Sequence, residues 1–190
     1  MKDNQEFINQ CFLNLIKNHV ISENDLKPST ISDKEIEDLQ NKFQIKLPEI
    51  YKDFLKSYFF EFNTLLAVVD KLNYFKEQYV MIIPNRDREL KGIYENWSFL
   101  EEEYKLLSNG FVPIGDWGDG WGPVCIDTHK SSEQVVYKDK KTWTMVWFDH
   151  EEFWGGETYE DFAAAAIPAA PDFREFMEWY FLDKYKDMVD

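Results

Sequence analysis

The chain has 190 residues, 44% hydrophobic and 17% aromatic, with 21 basic against 36 acidic side chains and a net charge of −15. Such a chain is long enough to bury about 70% of its unfolded surface, and its apolar content excludes a disordered polymer. The charge opposes direct binding to phosphate backbones, and two cysteines, Cys11 and Cys125, supply neither a disulfide framework nor a zinc pattern.

The acidity is uneven: residues 1–110 carry a net −5 and residues 111–190 a net −10. An acidic half either serves solubility or speeds association with a basic partner. No apolar run reaches the length of a membrane span, and the first residues lack the basic-then-apolar pattern of a signal peptide. A soluble, cytoplasmic protein is expected, without contact to membrane.

In chain order, Phe7, Ile8, Cys11, Phe12, Leu15 and Ile16 recur on one face of a helix over about residues 4–19. Cys11 on that face reads as core. A polar stretch from Ser22 to Thr30 reads as a linker. Ser32-Asp33-Lys34-Glu35 fits the capping box, flanked by Ile31 and Ile36 in staple positions. Ile36, Leu39 and Phe43 continue the stripe. Pro48 suits the first turn of the next helix, whose inward face is Ile50, Tyr51, Phe54, Leu55 and Tyr58.

Leu65–Val69 and Tyr79–Ile83 then read as strands, and Trp97–Ser108 as an acidic helix closed by Asn109-Gly110. Strand character returns at Phe111–Ile114, Val124–Ile126, Gln134–Tyr137 and Trp143–Phe148, with Lys138–Lys141 as a turn. Tyr159 and Phe162 open a further helix. Phe173, Phe176, Met177, Tyr180 and Phe181 form a closing one, with Trp179 nearer its flank. The alanine run Ala163–Ala166 stands out in composition and carries no functional inference. These elements predict an α+β domain, a largely antiparallel sheet packed against helices. The divisions expected are 1–30 (helix and linker), 31–166 (main domain) and 167–190 (closing helix).

Two loops hold the residues of interest. Residues 115–122 contain four of the eight glycines, which demands a tightly shaped loop, together with Asp116, Trp117, Asp119 and Trp121. A second loop, Asp149–Gly156, holds Asp149, Glu151, Glu152 and Trp154. Rigid aromatics beside carboxylates suit an interface with a basic protein; the alternative is that the tryptophans are buried in a structural hairpin. For chemistry, Cys125 with His129, a metal at His150-Glu151-Glu152, and Asp116 with Asp127 as acid and base are the candidates. None matches a catalytic or ligand motif, so no catalytic residue, metal or cofactor is expected.

Residues 31–55, with Leu47, Pro48, Tyr51, Phe54 and Leu55 at their end, resemble the N-terminal signature of the SMI1/KNR4 family of the SUKH superfamily. Pro113-Ile114-Gly115-Asp116 with Gly120 and Asp127 resembles its second signature. Val136-Tyr137, Asp149-His150-Glu151 and Thr158-Tyr159-Glu160-Asp161-Phe162 follow in family order. The likeness covers about residues 31–166. It departs at Phe59–Asn63, where the family places Asn-Gly-Gly, and in a longer section over 71–110.

The resemblance implies a single SUKH-like domain and no enzymatic role. It implies an immunity protein that binds and neutralises a cognate polymorphic toxin, such as a nuclease or nucleic-acid deaminase. The second expectation is an intracellular regulatory adaptor of the SMI1/KNR4 type. The expected partner surface is Asp116, Trp117, Asp119, Trp121, Asp149, Glu151, Glu152 and Trp154. A small ligand in a sheet-lined cleft is a further alternative.

Overall fold

Helix formation begins where the sequence offers partners for free backbone amides. In the computed structural model, which describes residues 2–60, 65–68, 78–82, 90–117, 122–153 and 155–182, the Ser32 hydroxyl accepts from Glu35 N, and Glu35 reaches back to Ser32 N at 2.7 Å. This reciprocal cap starts α2 (Asp33–Phe43) and satisfies two amides that have no partner within the helix. The Pro48 carbonyl accepts from Tyr51 N and Lys52 N and so opens α3 (Glu49–Ser57). Ahead of both lies α1 (Lys2–Lys17). The closing helix α6 (Phe173–Phe181) is capped by Asp172, whose carboxylate accepts from Glu175 N at 2.9 Å.

These four helices bury their apolar stripes together. Phe12 lies edge-on to Phe181 at 5.7 Å, and Phe54 meets Phe173 at 5.5 Å. Trp179 is only 1% exposed, so it belongs to this core and not to the flank of the helix.

Among the described residues, six strands form one antiparallel meander in chain order: β3 (Leu65–Val68), β4 (Gln78–Ile82), β5 (Phe111–Trp117), β6 (Pro123–Asp127), β7 (Met145–Trp147) and β8 (Ile167–Ala170). A separate ribbon pairs β1 (Leu26–Pro28), inside the expected linker, with β2 (Tyr58–Phe60). The expected α+β arrangement, a largely antiparallel sheet on helices, is therefore observed. β8 forms where the alanine run leads to the closing helix.

Alternation along the strands gives the sheet two apolar faces. Val112, Ile114, Val124, Ile126 and Met145 join the four-helix core. Phe111, Cys125, Val146 and Phe148 point the other way, onto Phe162 of α5 (Tyr159–Ala165). A further helix, α4 (Lys91–Tyr104), serves both layers. Its Ile93 and Trp97 enter the first core, where Trp97 Nε1 donates to Pro113 O at 2.7 Å, while Leu100 and Tyr104 pack on the second.

Several boundaries differ from expectation for local reasons. α4 begins six residues before Trp97, after Leu90, whose left-handed φ of 54° and lack of a side-chain cap leave no sequence signal. It ends at Tyr104; the Glu101 carboxylate accepts from Leu107 N and Ser108 N in the turns beyond. Gln134–Tyr137 is not a strand. Ser131 caps a 3-10 turn over Ser132–Gln134, and the Thr142 hydroxyl accepts from Val136 N at 2.8 Å, so side chains replace a ladder. Val136 is consequently 54% exposed.

Candidate functional site

The β5–β6–β7 register brings the two expected loops together. Val124 pairs with Trp147 and Asp116 with Pro123, so the end of the glycine loop lies beside the start of the acidic loop. Gly122 sits at the contact with φ +137°, a conformation that L side chains rarely adopt. A Cβ there would fall 1.8 Å from the Phe148 carbonyl oxygen. The Phe148 N donates to Pro123 O at 3.2 Å, which ties the two loop bases. On the far side, Gly155 (φ +96°) passes the Tyr104 carbonyl, so the acidic loop also crosses the end of α4.

Between these parts lies a cleft of about 160 Å³, lined by Phe99, Leu100 and Tyr104 of α4, by Asp116 and Gly122, and by Phe148, His150 and Phe153. Leu106 and Phe148 form its buried floor. Phe153 stacks on Phe148 at 4.9 Å and meets Phe162 edge-on at the same distance. Phe99 stands at the rim, 57% exposed.

Of the expected partner-binding residues, Asp116 is half-buried on the cleft wall. Asp149 is half-buried at the start of the acidic loop, where its Oδ1 accepts from Glu151 N at 2.9 Å and its carbonyl accepts from Glu152 N and Phe153 N. It shapes the loop that presents Glu151 and Glu152, both exposed. Trp117 contributes its backbone to β5. Asp119, Trp121 and Trp154 lie outside the described residues. Phe99 and Tyr104 are site residues that the sequence did not single out: they fell within the expected acidic helix Trp97–Ser108 and were given no role. The i, i+4 pair of Leu100 and Tyr104 was the available signal.

The candidate chemical pairs come apart. Asp116 opposes Pro123 at one end of β6, and Asp127 is the last residue at the other, four residues or about 13 Å along the strand. Asp127 is 1% exposed and fully engaged: it accepts from His129 N at 3.0 Å and from the Tyr159 hydroxyl at 3.1 Å, with Lys130 Nζ at 3.4 Å. Burial, followed by the Asp127 charge, pushes the Tyr159 hydroxyl up to about 12. Cys125 is buried under α5 and its thiol is pushed well up, first by that burial, which opposes thiolate chemistry. His129 is half-exposed and packs on the Tyr159 ring at 4.2 Å. Among the described residues no group of three His, Cys, Asp or Glu side chains is placed to hold a metal ion.

A wider cleft of about 590 Å³ lies where α3 and α6 begin, against the end of β6. Its lining mixes both charge signs, and two of its cations are engaged. Lys130 donates to Trp143 O at 3.1 Å, and Arg174 lies 3.8 Å from Asp3 and over the Phe7 ring. Among the described residues, no helix is long and apolar enough to cross a membrane.

No curated protein matches the chain. The profile of the SMI1 / KNR4 family (SUKH-1) matches residues 30–179, a span that takes in α2, the sheet and the acidic, aromatic cleft. The chain belongs to the SMI1/KNR4 (SUKH-1) family, which includes immunity proteins.

Proposed function

We propose that this protein is an immunity protein, which binds a cognate polymorphic toxin and neutralises it by occlusion and not by chemistry. The observation that carries the reading is one aromatic cleft where the described ends of the glycine loop, Asp116 and Gly122, meet the acidic loop, with Asp116 in the wall and the exposed Glu151 and Glu152 between its lining residues His150 and Phe153. A basic nuclease or nucleic-acid deaminase is the complementary partner. Opposite fields speed encounter, and a few aromatic anchors in a desolvated pocket supply most of the affinity. The site of action is the cytoplasm, where such a toxin meets its substrate.

The test is capture from cells that encode the protein, with the tagged chain as bait and mass spectrometry as readout. A single stoichiometric partner with a basic domain, whose toxicity is relieved by co-expression, is the expected result. Many substoichiometric partners and no protection would overturn it in favour of a regulatory adaptor.

A further inference from the structure

We infer that the wider cleft, where α3 and α6 begin, binds a small organic acid: an oxyanion at one end of an apolar body. This goes beyond the immunity reading and does not rest on it. At about 590 Å³ the cleft lies in the size range of small-molecule sites, roughly 300–1,000 Å³. Leu47, Ile126 and Phe173, all buried, give its lining apolar surface. Its charged groups divide into committed and uncommitted. The Asp127 carboxylate accepts from His129 N and the Tyr159 hydroxyl beside Lys130, and Lys130 donates to Trp143 O. Asp172 caps α6, and burial pushes its carboxyl up. Glu49 pairs with Lys52. Arg174 is different. Its guanidinium lies over the Phe7 ring, 4.1 Å from the centroid, a contact that uses none of its N–H donors. It makes no hydrogen bond among the described residues, and Asp3, at 3.8 Å, is beyond hydrogen-bond reach. Lys46 is exposed and has neither hydrogen bond nor ion pair among the described residues. Glu133 is the one lining carboxylate left in the same condition. The uncommitted charge is therefore two cations against one carboxylate.

Charge selects the ligand. A guanidinium offers two parallel N–H donors to a carboxylate or a phosphate, and stacking on Phe7 orients it before the ligand arrives. Lys46 adds a second positive charge. A cationic ligand would meet both cations and find Asp127 already occupied. A polyanion such as nucleic acid would meet the whole net charge of −15. A small anion meets only the charges within about 8 Å, the screening length at physiological salt. Glu133 disfavours a second anionic end, so the rest of the ligand is neutral and packs on Leu47, Ile126 and Phe173.

The probes are hexanoate and hexyl phosphate, titrated into the full-length isotope-labelled protein and followed by amide chemical shifts. Hexanol and hexylamine serve as controls. Saturable shifts at 46–50, 126–133, 144 and 172–174 are expected with both anions, several-fold tighter than with hexanol and absent with hexylamine. The tighter of the two anions identifies carboxylate or phosphate as the group recognised, and either order supports the site. Arg174→Gln should weaken binding about tenfold, the scale of losing one charged hydrogen bond. Lys46→Gln, at an exposed position, should weaken it several-fold with Tm unchanged. No saturable shift at these residues, an equal response to hexanol, or unchanged binding by both variants overturns the inference. Toxin capture succeeds or fails independently of these shifts.

Discussion

Gly122→Ala tests whether the two loops are held together as the structure shows. The new Cβ would lie 1.8 Å from the Phe148 carbonyl oxygen and 3.2 Å from His150 N. Both neighbours are backbone, so neither can rotate away. Restoring ordinary contact moves the strands apart by about 1.5 Å, and a close-packed interior does not absorb that without loss. That movement breaks the Phe148 N to Pro123 O hydrogen bond, worth about 1 kcal/mol. A non-glycine residue at φ +137° adds about 1–3 kcal/mol. The expected destabilisation is about 2–4 kcal/mol, or a fall in Tm of about 5–15 °C for a chain of this size. Calorimetry measures it, with amide shifts of 148–153 as the local readout. An unchanged Tm with unchanged shifts would refute the packing of Gly122 on Phe148.

Ser32→Ala should cost about 1 kcal/mol in urea unfolding without changing the denaturant slope, because it removes one cap from α2. The bonds from the Ser32 hydroxyl and amide hold the Glu35 carboxyl below its usual range. Its stabilisation is therefore present above the ordinary glutamate pKa and is lost as pH falls through the depressed one. An NMR titration of Glu35 should show that depression shrink in Ser32→Ala. Asp127→Asn should destabilise by about 1–3 kcal/mol and lower the Tyr159 midpoint from about 12, as followed by tyrosinate absorbance. Tyr159 is favoured neutral, so its contribution is full below about 10 and is lost as pH rises toward 12. Cys11 and Cys125 are buried, so native protein should resist a thiol reagent until denaturant is added. Reversing charge at Glu151 and Glu152 should slow association with the captured partner at least tenfold at low salt, with little change in Tm.

The helices were legible where the chain writes its own caps. Ser32 and Glu35 announce α2, and the stripe Phe7–Ile16 announces α1, because both signals are local. The core strands β5 and β6 were legible from apolar runs around the glycine loop. Leu90 opens α4 with a left-handed backbone and no polar side chain, so its start could not be seen. β1 has three residues and exists only through its register with β2. Gln134–Tyr137 looked like a strand by composition, but Thr142 and Asp139 satisfy its neighbourhood locally.

The candidate site divides in the same way. Its carboxylates stand in two glycine-bearing acidic segments and were readable. That these segments meet follows from the pairing of β6 with β7 and from Gly122 against Phe148, which are non-local facts. For the aromatic wall, the i, i+4 spacing of Leu100 and Tyr104 marked a shared helix face, but what crosses in front of that face was not readable, because helical periodicity sets only which residues share it.

The central claim is that this cleft is the partner surface. Hydrogen exchange of the captured complex against the free protein tests it most directly. The account predicts protection on binding confined to 99–104, 116–117, 122–123 and 148–153. Protection centred instead on the wider cleft at Lys46–Ile50 and Asp172–Arg174, with none around Asp116 and Phe153, would contradict it.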